Sequence, residues 1–541
     1  MSEKQGAFAP FRYGVFTVMW VATLLSNIGT WVFNVTSGWL MTDLAPSPLM
    51  VSLVQAATSL PVFLFALPAG ALGDLFDRRK LLLVTQVFSV AVMFFFAFLL
   101  WQGAVNAWIL LLFTFLTGVG AAFSTPAFQA ITPQLVPKSA LAPAIALNGV
   151  SINIARAIGP ALGSFILATF GAVATVSLNG MSFVVVIAAL LWWRAASSTA
   201  RVLPRERMAG AMRAGLRFAL FSTPLSATLV RALAFFAFAS AYWALLPLIA
   251  RDLLQGGPET YGILLTMLGL GAFVGAAVMP IIKSRFGISA LTWIANILTA
   301  AACAIFAVGG SILFGFVAAL MAGMGWILMV SALNASAHTA LPDWVRTRGL
   351  AVFQMAFFGA MTAGSLLWGQ AGAVFGLSQT LLAVAVLMLL VAIAVQRWQL
   401  GLGEAHNYDA TRHWPEPVSV VPIEHDRGPV MVTIEYAIKP EDMTAFAALM
   451  HKLGRIRRRD GAVQWGYFED IAFPGRVIEM FTVESWVEHL RQHDRVSAAD
   501  QDLQDEIAAL HQGSNRPVVT HAIRPDSGGA RAELPAGHHD I

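Results

Sequence analysis

The sequence predicts an all-α integral membrane bundle of twelve transmembrane helices in two pseudo-repeats of six, followed by a C-terminal α+β ferredoxin-like cytoplasmic domain. Three observations carry this reading. The chain of 541 residues is 57% hydrophobic and 12% charged, where a soluble chain carries about 25% charged residues. Its apolar residues gather into twelve segments, at about 13–42, 49–73, 81–101, 107–129, 142–169, 172–193, 219–250, 260–282, 288–308, 311–337, 349–375 and 377–396, each long enough for the roughly 20 residues a crossing needs. The first 400 residues also repeat at an offset of 205: Gly70 maps onto Gly275, Gly118 and Gly120 onto Gly323 and Gly325, Gly159 onto Gly364, and Gly171 onto Gly376. Five of the fourteen glycines before position 201 land on glycines, where composition alone gives about one or two.

Taken in order, residues 1–193 form the first six-helix half, 194–218 a basic connecting loop and 219–398 the second half. Inside a bilayer each segment must be helical, because an unpaired backbone amide there costs several kcal/mol. The loops set the orientation. One set holds fourteen basic residues, among them Arg78, Arg79, Lys80, Lys138, Lys283, Arg285, Arg346 and Arg348, and the alternate set holds only Arg251. That bias places both termini in the cytoplasm. Lys4 precedes no short apolar stretch of the signal-peptide kind, since the run from Val15 is a full span. A single cysteine, Cys303, excludes an intramolecular disulfide.

After Arg397 the composition changes. Residues 399–428 read as a polar, proline-bearing linker. Over 429–523 the pattern becomes strand (430–437), helix (441–459), a strand pair (461–470 and 476–483), one or two helices (484–510) and a last strand (517–523). That order fits a ferredoxin-like sandwich. The stretch 524–541, rich in Gly, Ala, Pro and His, reads as a disordered tail.

Candidate functional residues fall into three groups. Gly70, Asp74, Asp77, Arg78 and Arg79 lie between the second and third spans. A carboxylate there can meet a helix N-terminus of the other half, and the arginines can pair with carboxylates or lipid phosphates, so the group can act as a latch between two conformations. Arg156 and Arg231 lie well inside spans, where an arginine costs several kcal/mol unless it faces a wet cleft or a partner. Both are expected in a central cleft, lined also by Asn27, Asn34, Gln55, Asn153, Asn334 and Trp243, with Thr30, Trp31, Asn148, Phe235, Phe236 and Tyr242 as further liners. Gly118, Gly120, Gly159, Pro160, Gly163 and Gly364 are expected to let helices approach closely. No carboxylate lies deep within a span, so no proton-coupling site is visible, and His338 near the inner boundary is the one titratable alternative. Two parallel copies of six spans imply alternating access around a site between them.

The soluble domain offers Trp465, Trp486, His489 and His493. The two histidines stand four apart on a helix, a metal-capable spacing, but no third ligand follows from spacing, and the flanking charges predict a solvated face. No metal, cofactor or catalytic residue is expected, nor a nucleic-acid partner.

Residues 70–80 resemble the cytoplasmic signature of the major facilitator superfamily, G-x-L-x-D-R-x-G-R-R-x, with Leu75 in place of its first arginine and Phe76-Asp77 in place of x-Gly. Residues 155–164, around Gly159-Pro160 and Gly163, are similar to its antiporter-type motif, with Ala155 and Ser164 replacing two glycines. Thr114 stands where the proton-linked motif has arginine. With 27–31, 118–137 and 147–163, these stretches resemble the enterobactin-exporter-like, transmembrane secretion effector branch. Residues 432–436, 455–466 and 484–493 look like the appended cytoplasmic domain of some members, similar to dimeric α+β barrel monooxygenases. The resemblance implies a multi-pass protein of a bacterial inner membrane, exporting a small amphipathic molecule, siderophore-like or drug-like, driven by protons. It also implies a possible homodimer through the C-terminal domain. A fused, catalytically active cofactor-free monooxygenase and a non-transporting membrane sensor are the alternative readings.

Overall fold

The computed structural model describes residues 6, 8–75, 77–193, 208–342, 344–400, 423–513 and 516–525. They fall into two compact units, Met1–Leu216 with Thr223–Ala405, and Arg217–Ser222 with His406–Ile541.

In the first unit the helices are α1 (Gly14–Leu44), α2 (Pro48–Leu75), α3 (Arg78–Trp101), α4 (Ala107–Leu135), α5 (Leu141–Trp192), α6 (Met208–Phe221, whose last residues belong to the second unit), α7 (Thr223–Leu248), α8 (Pro258–Val308), α9 (Ile312–Thr339), α10 (Arg346–Phe375) and α11 (Leu377–Ala394). Among the described residues ten of these are long and apolar enough to cross a membrane. Helices α5 and α8 each take in two of the predicted segments, joined at a single non-helical residue. They run 52 and 51 residues, and Gly171 (φ 76°) and Gly287 (φ 76°) break the helical backbone inside them. At 1.5 Å per residue the segments on either side of each glycine are about 30–45 Å long, against the roughly 30 Å of a hydrocarbon core. Gly376, the repeat partner of Gly171, likewise sits at φ 86° between α10 and α11. Only glycine takes that left-handed backbone without steric cost.

The helix α6 differs from the expected loop 194–218. It occupies the end of the connection and takes 219–221 from the predicted seventh span. Ser222 separates it from α7, whose second residue is Pro224, a first-turn position where the missing amide hydrogen costs nothing. Residues 194–207, most of that loop, lie outside the described residues, as do 401–422 of the linker and 526–541 of the tail.

The repeat is visible in the packing. A Cβ on Gly118 would meet Pro61 and the Thr58 carbonyl, joining α4 to α2, and one on Gly323 would meet the Leu268 backbone, joining α9 to α8. Gly120 abuts Ser89 of α3, and Gly325 abuts Ala295 and Thr299 in the second half of α8. Gly159 abuts Trp31 of α1, while Gly364 abuts Ala237 and Ser240 of α7. Gly163, one turn after Pro160, lies on the Val32 backbone. In these three pairs, each glycine and its partner 205 residues later therefore receive the corresponding helix of their own half.

The second unit has β1 (Val430–Ala437), α12 (Met443–Asp460), β2 (Gln464–Glu469), β3 (Arg476–Val483), α13 (Trp486–Arg495), α14 (Ala498–Ala509) and β4 (Val518–Ile523). The sheet is antiparallel in the order β2-β3-β1-β4. Alternate residues of the strands, Val430, Val432, Ile434, Tyr436, Val477, Phe481 and Val483, are buried with Phe446, Met450, Leu453 and Ile507 of the helices. The stretch 484–510 resolves into two helices because Ser497 starts a new one: its hydroxyl accepts from the Asp500 amide, and the Asp500 carboxylate accepts from the Ser497 amide.

Candidate functional site

The residues expected in a cleft separate into two groups. Asn27, Asn34, Gln55 and Asn334 are half-buried and Asn153 is exposed, and none donates or accepts a side-chain hydrogen bond among the described residues. Arg156, half-buried, makes no hydrogen bond or ion pair there either. Unpartnered amides and a guanidinium on apolar helices are tolerable only where water or a ligand reaches them. Asn148 is different, since it donates to Thr132 Oγ1 at 3.1 Å.

Around Arg156 the two halves meet. Gly269 of α8 lies on the backbone of Arg156 and Ala157, and Arg156 is within electrostatic reach of Tyr242. The rings of Trp31 (α1) and Trp243 (α7) lie 6.4 Å apart. From Trp243 an aromatic cluster continues to Trp326 at 5.2 Å, and from there to Phe236 at 5.3 Å and Phe357 at 5.8 Å. Among the described residues the buried Tyr242 hydroxyl and Trp243 Nε1 have no hydrogen-bond partner of good geometry. Trp326 and Phe357 were not legible as liners: one aromatic in an apolar run carries no sign of which face it occupies.

Arg231 is not in the cleft. It is 6% exposed, donates from Nε to the Trp398 carbonyl at 2.7 Å and from Nη1 to Thr292 Oγ1 at 3.0 Å. It lines a small pocket inside the second half with Phe235, Asn296 and Gln396. Its helix face turns toward the segment of α8 that follows Gly287 and the chain leaving α11, so the charge is met by hydroxyl and carbonyl oxygens within one half.

At the expected latch, Asp77 caps α3 by accepting from the Lys80 amide at 3.0 Å. Arg79 donates to the Leu190 and Leu191 carbonyls at 2.8 and 3.2 Å, closing the C-terminal end of α5. Both contacts stay within the first half. Gly70 faces Ala351 of α10, a Cβ there lying 3.9 Å from it, so α2 and α10 approach at this end. The Asp74 side chain lies outside the described residues. At the opposite end Arg251 donates to the Thr42 carbonyl and sits 3.8 Å from the Asp43 carboxylate, joining the helical turn that follows α7 to the end of α1.

In the second unit Glu479 is fully buried and receives Arg457 (2.9 and 3.3 Å), Trp465 Nε1 (2.9 Å) and the Tyr436 hydroxyl (3.2 Å). Every carboxylate lone pair that matters is taken, which makes this network a structural one. On the same covered side of the sheet His489 and His493 face each other, Nε2 to Nε2, at 3.3 Å, and His521 joins them from β4. Burial, with His493 and His521 alongside, pushes His489 down to about 3, and burial also lowers His521. The third histidine was missed because nothing in a sequence spacing says that β4 lies beside β1.

Two repeated halves of apolar helices, meeting around unpartnered polar groups, define a membrane transporter. The profile of the transmembrane secretion effector family matches residues 5–528, and the chain belongs to that family of the major facilitator superfamily. The staphyloferrin A transporter of Staphylococcus aureus is 24% identical over 366 residues, 66% of this chain and 90% of that protein. The multidrug efflux pump Tap of Mycolicibacterium fortuitum is 26% identical over 396 residues, 71% and 95%. Among solved structures, a bacterial homologue of the human lysosomal transporter Spinster superposes with a TM-score of 0.55 at 16% identity, over 72% of this chain and 96% of that one. The nucleoside transporter NupG superposes with a TM-score of 0.54 at 11% identity, over 71% and 98%. At these identities the superpositions speak to the fold of the helical unit alone.

Proposed function

We propose that this transporter exports a small amphipathic molecule, siderophore-like or drug-like, by alternating access at the site around Arg156. The observation that carries the reading is Arg156 itself: a cation on an apolar helix, without a hydrogen-bond or ion-pair partner among the described residues, beside an aromatic cluster that spans both halves. Such a site offers charge and hydrogen bonds to an acceptor-rich group and ring faces to an apolar body. The siderophore transporter and the drug efflux pump among the relatives support that substrate class.

In this reading the breaks at Gly171 and Gly287 divide α5 and α8, giving twelve crossings with both termini in the cytoplasm of a bacterial inner membrane. The proton gradient drives export. The second unit is a ferredoxin-like domain whose uncovered sheet face, with Phe468, Met431 and Val518 exposed, pairs with a second copy.

The test is efflux from inside-loaded proteoliposomes under an imposed pH gradient, with a panel of siderophores and dyes. Gradient-dependent efflux by the wild type, lost in Arg156→Ala and Asp74→Asn, is expected. Absence of flux in either direction, or flux unchanged by Arg156→Ala, overturns the assignment.

A further inference from the structure

We propose that His489, His493 and His521 form a binding site for a divalent first-row transition ion, of which Zn2+ is the representative. The fold assembles the three from separate elements. His489 and His493 stand one turn apart on α13, and the register Val432↔His521 places the β4 histidine on the same side of the sheet as the buried Val432. Their ligand nitrogens all lie within 4.8 Å of one another. The His489–His493 separation, 3.3 Å between Nε2 atoms, is close to the edge of a tetrahedron built on Zn–N bonds of 2.0–2.1 Å, about 3.3–3.4 Å. Only His521 has to move inward, and it is the exposed member of the three, on the terminal strand.

The donor set selects the ion. Three neutral imidazoles suit Zn2+, Cu2+, Ni2+ and Fe2+, while Mg2+ and Ca2+ prefer oxygen. Charge does not oppose occupancy: Arg457, the cation that acts on His489, is already paired with Glu479 at 2.9 Å. With three protein ligands, and His521 at the surface, the fourth position is open to water. Sites of that kind exchange their ion or bind a further ligand, unlike closed four-ligand structural sites. Burial sets the pair on α13 in place before any metal arrives, so little ordering cost falls on binding.

Full-length protein in detergent, purified without a polyhistidine tag, is titrated with Zn2+ alone by calorimetry and with Co2+ by visible absorption. One ion per chain is expected, with the intense Co2+ bands of a four-coordinate site. His493→Gln and His521→Gln should each weaken binding at least tenfold, and His451→Gln, elsewhere in the same unit, should leave it unchanged. Zn2+ should raise the unfolding midpoint of the wild type and not that of the His493→Gln/His521→Gln double variant. His521 is exposed, so its replacement leaves the fold in place, which gel filtration and circular dichroism of the metal-free variant check. No saturable binding, or equal affinity in the wild type and both single variants, overturns the site.

Discussion

Arg251, in the helical turn Ile249–Leu253 that follows α7, reaches the Thr42 carbonyl and lies 3.8 Å from the Asp43 carboxylate at the end of α1. It is the lone basic residue of its set of loops, and it ties one half of the helical unit to the other. A contact made in one conformation biases a two-state equilibrium by its own free energy. Because both side chains are partly exposed, the ion pair itself contributes little, about 0–1 kcal/mol. Arg251→Ala should shift the population toward states separated at this end. Spin labels at Leu44→Cys and Gln255→Cys read this as a longer distance distribution, and an unchanged distribution refutes the tie.

The two intraspan arginines should respond differently to replacement. Arg231→Ala removes two charged hydrogen bonds, about 1.5–3 kcal/mol each, and should lower the thermal midpoint in detergent while the surviving protein keeps its substrate KM. Arg156→Ala should leave the midpoint within a degree or two and reduce transport at least tenfold, with partial recovery in Arg156→Lys. Equal stability losses in the two variants count against the distinction.

The repeated glycines should be equivalent in effect. Gly159→Val forces a side chain against Trp31, and Gly364→Val forces one against Ala237 and Ser240. Overpacking of this kind costs about 1–3 kcal/mol or more. Both variants should lose folded yield on size exclusion to a similar degree, whereas Gly149→Val, with open space around it, should be close to neutral.

Acid should loosen the second unit at Asp500. Burial raises this carboxyl, but Arg459 at 2.7 Å and the Ser497 hydroxyl and amide outweigh it, and the net shift is downward. A carboxyl depressed in the folded state binds fewer protons there than in the unfolded chain. Its stabilisation is therefore present above the ordinary carboxylate range and is lost as pH falls below about 4. Hydrogen exchange of α14 in the full chain should accelerate over that window, and Asp500→Asn should flatten the dependence.

The order of long apolar segments, the two repeats and the strand-helix alternation after residue 429 were legible because each rests on local periodicity. A stretch that must bury twenty apolar residues has one solution in a bilayer, and alternation in a strand follows from its pleat. What periodicity leaves undetermined is which neighbour a given face meets. Arg156 and Arg231 look alike as arginines in spans, yet one finds no partner among the described residues where the halves meet while the other binds Thr292 and Trp398 within a single half. Trp326 joined the aromatic cluster, Arg79 turned to the end of α5, and Gly171 took a non-helical backbone inside α5. His521 met the pair on α13 only because antiparallel pairing sets β4 against β1. The sequence by itself determined the membrane bundle, its internal repeat and the separate α/β unit, since these follow from short-range pattern and burial. Tertiary structure alone decided which polar groups share a cleft or a ligand set, because those contacts join residues tens to hundreds of positions apart and depend on helix rotation and strand order that no local signal specifies.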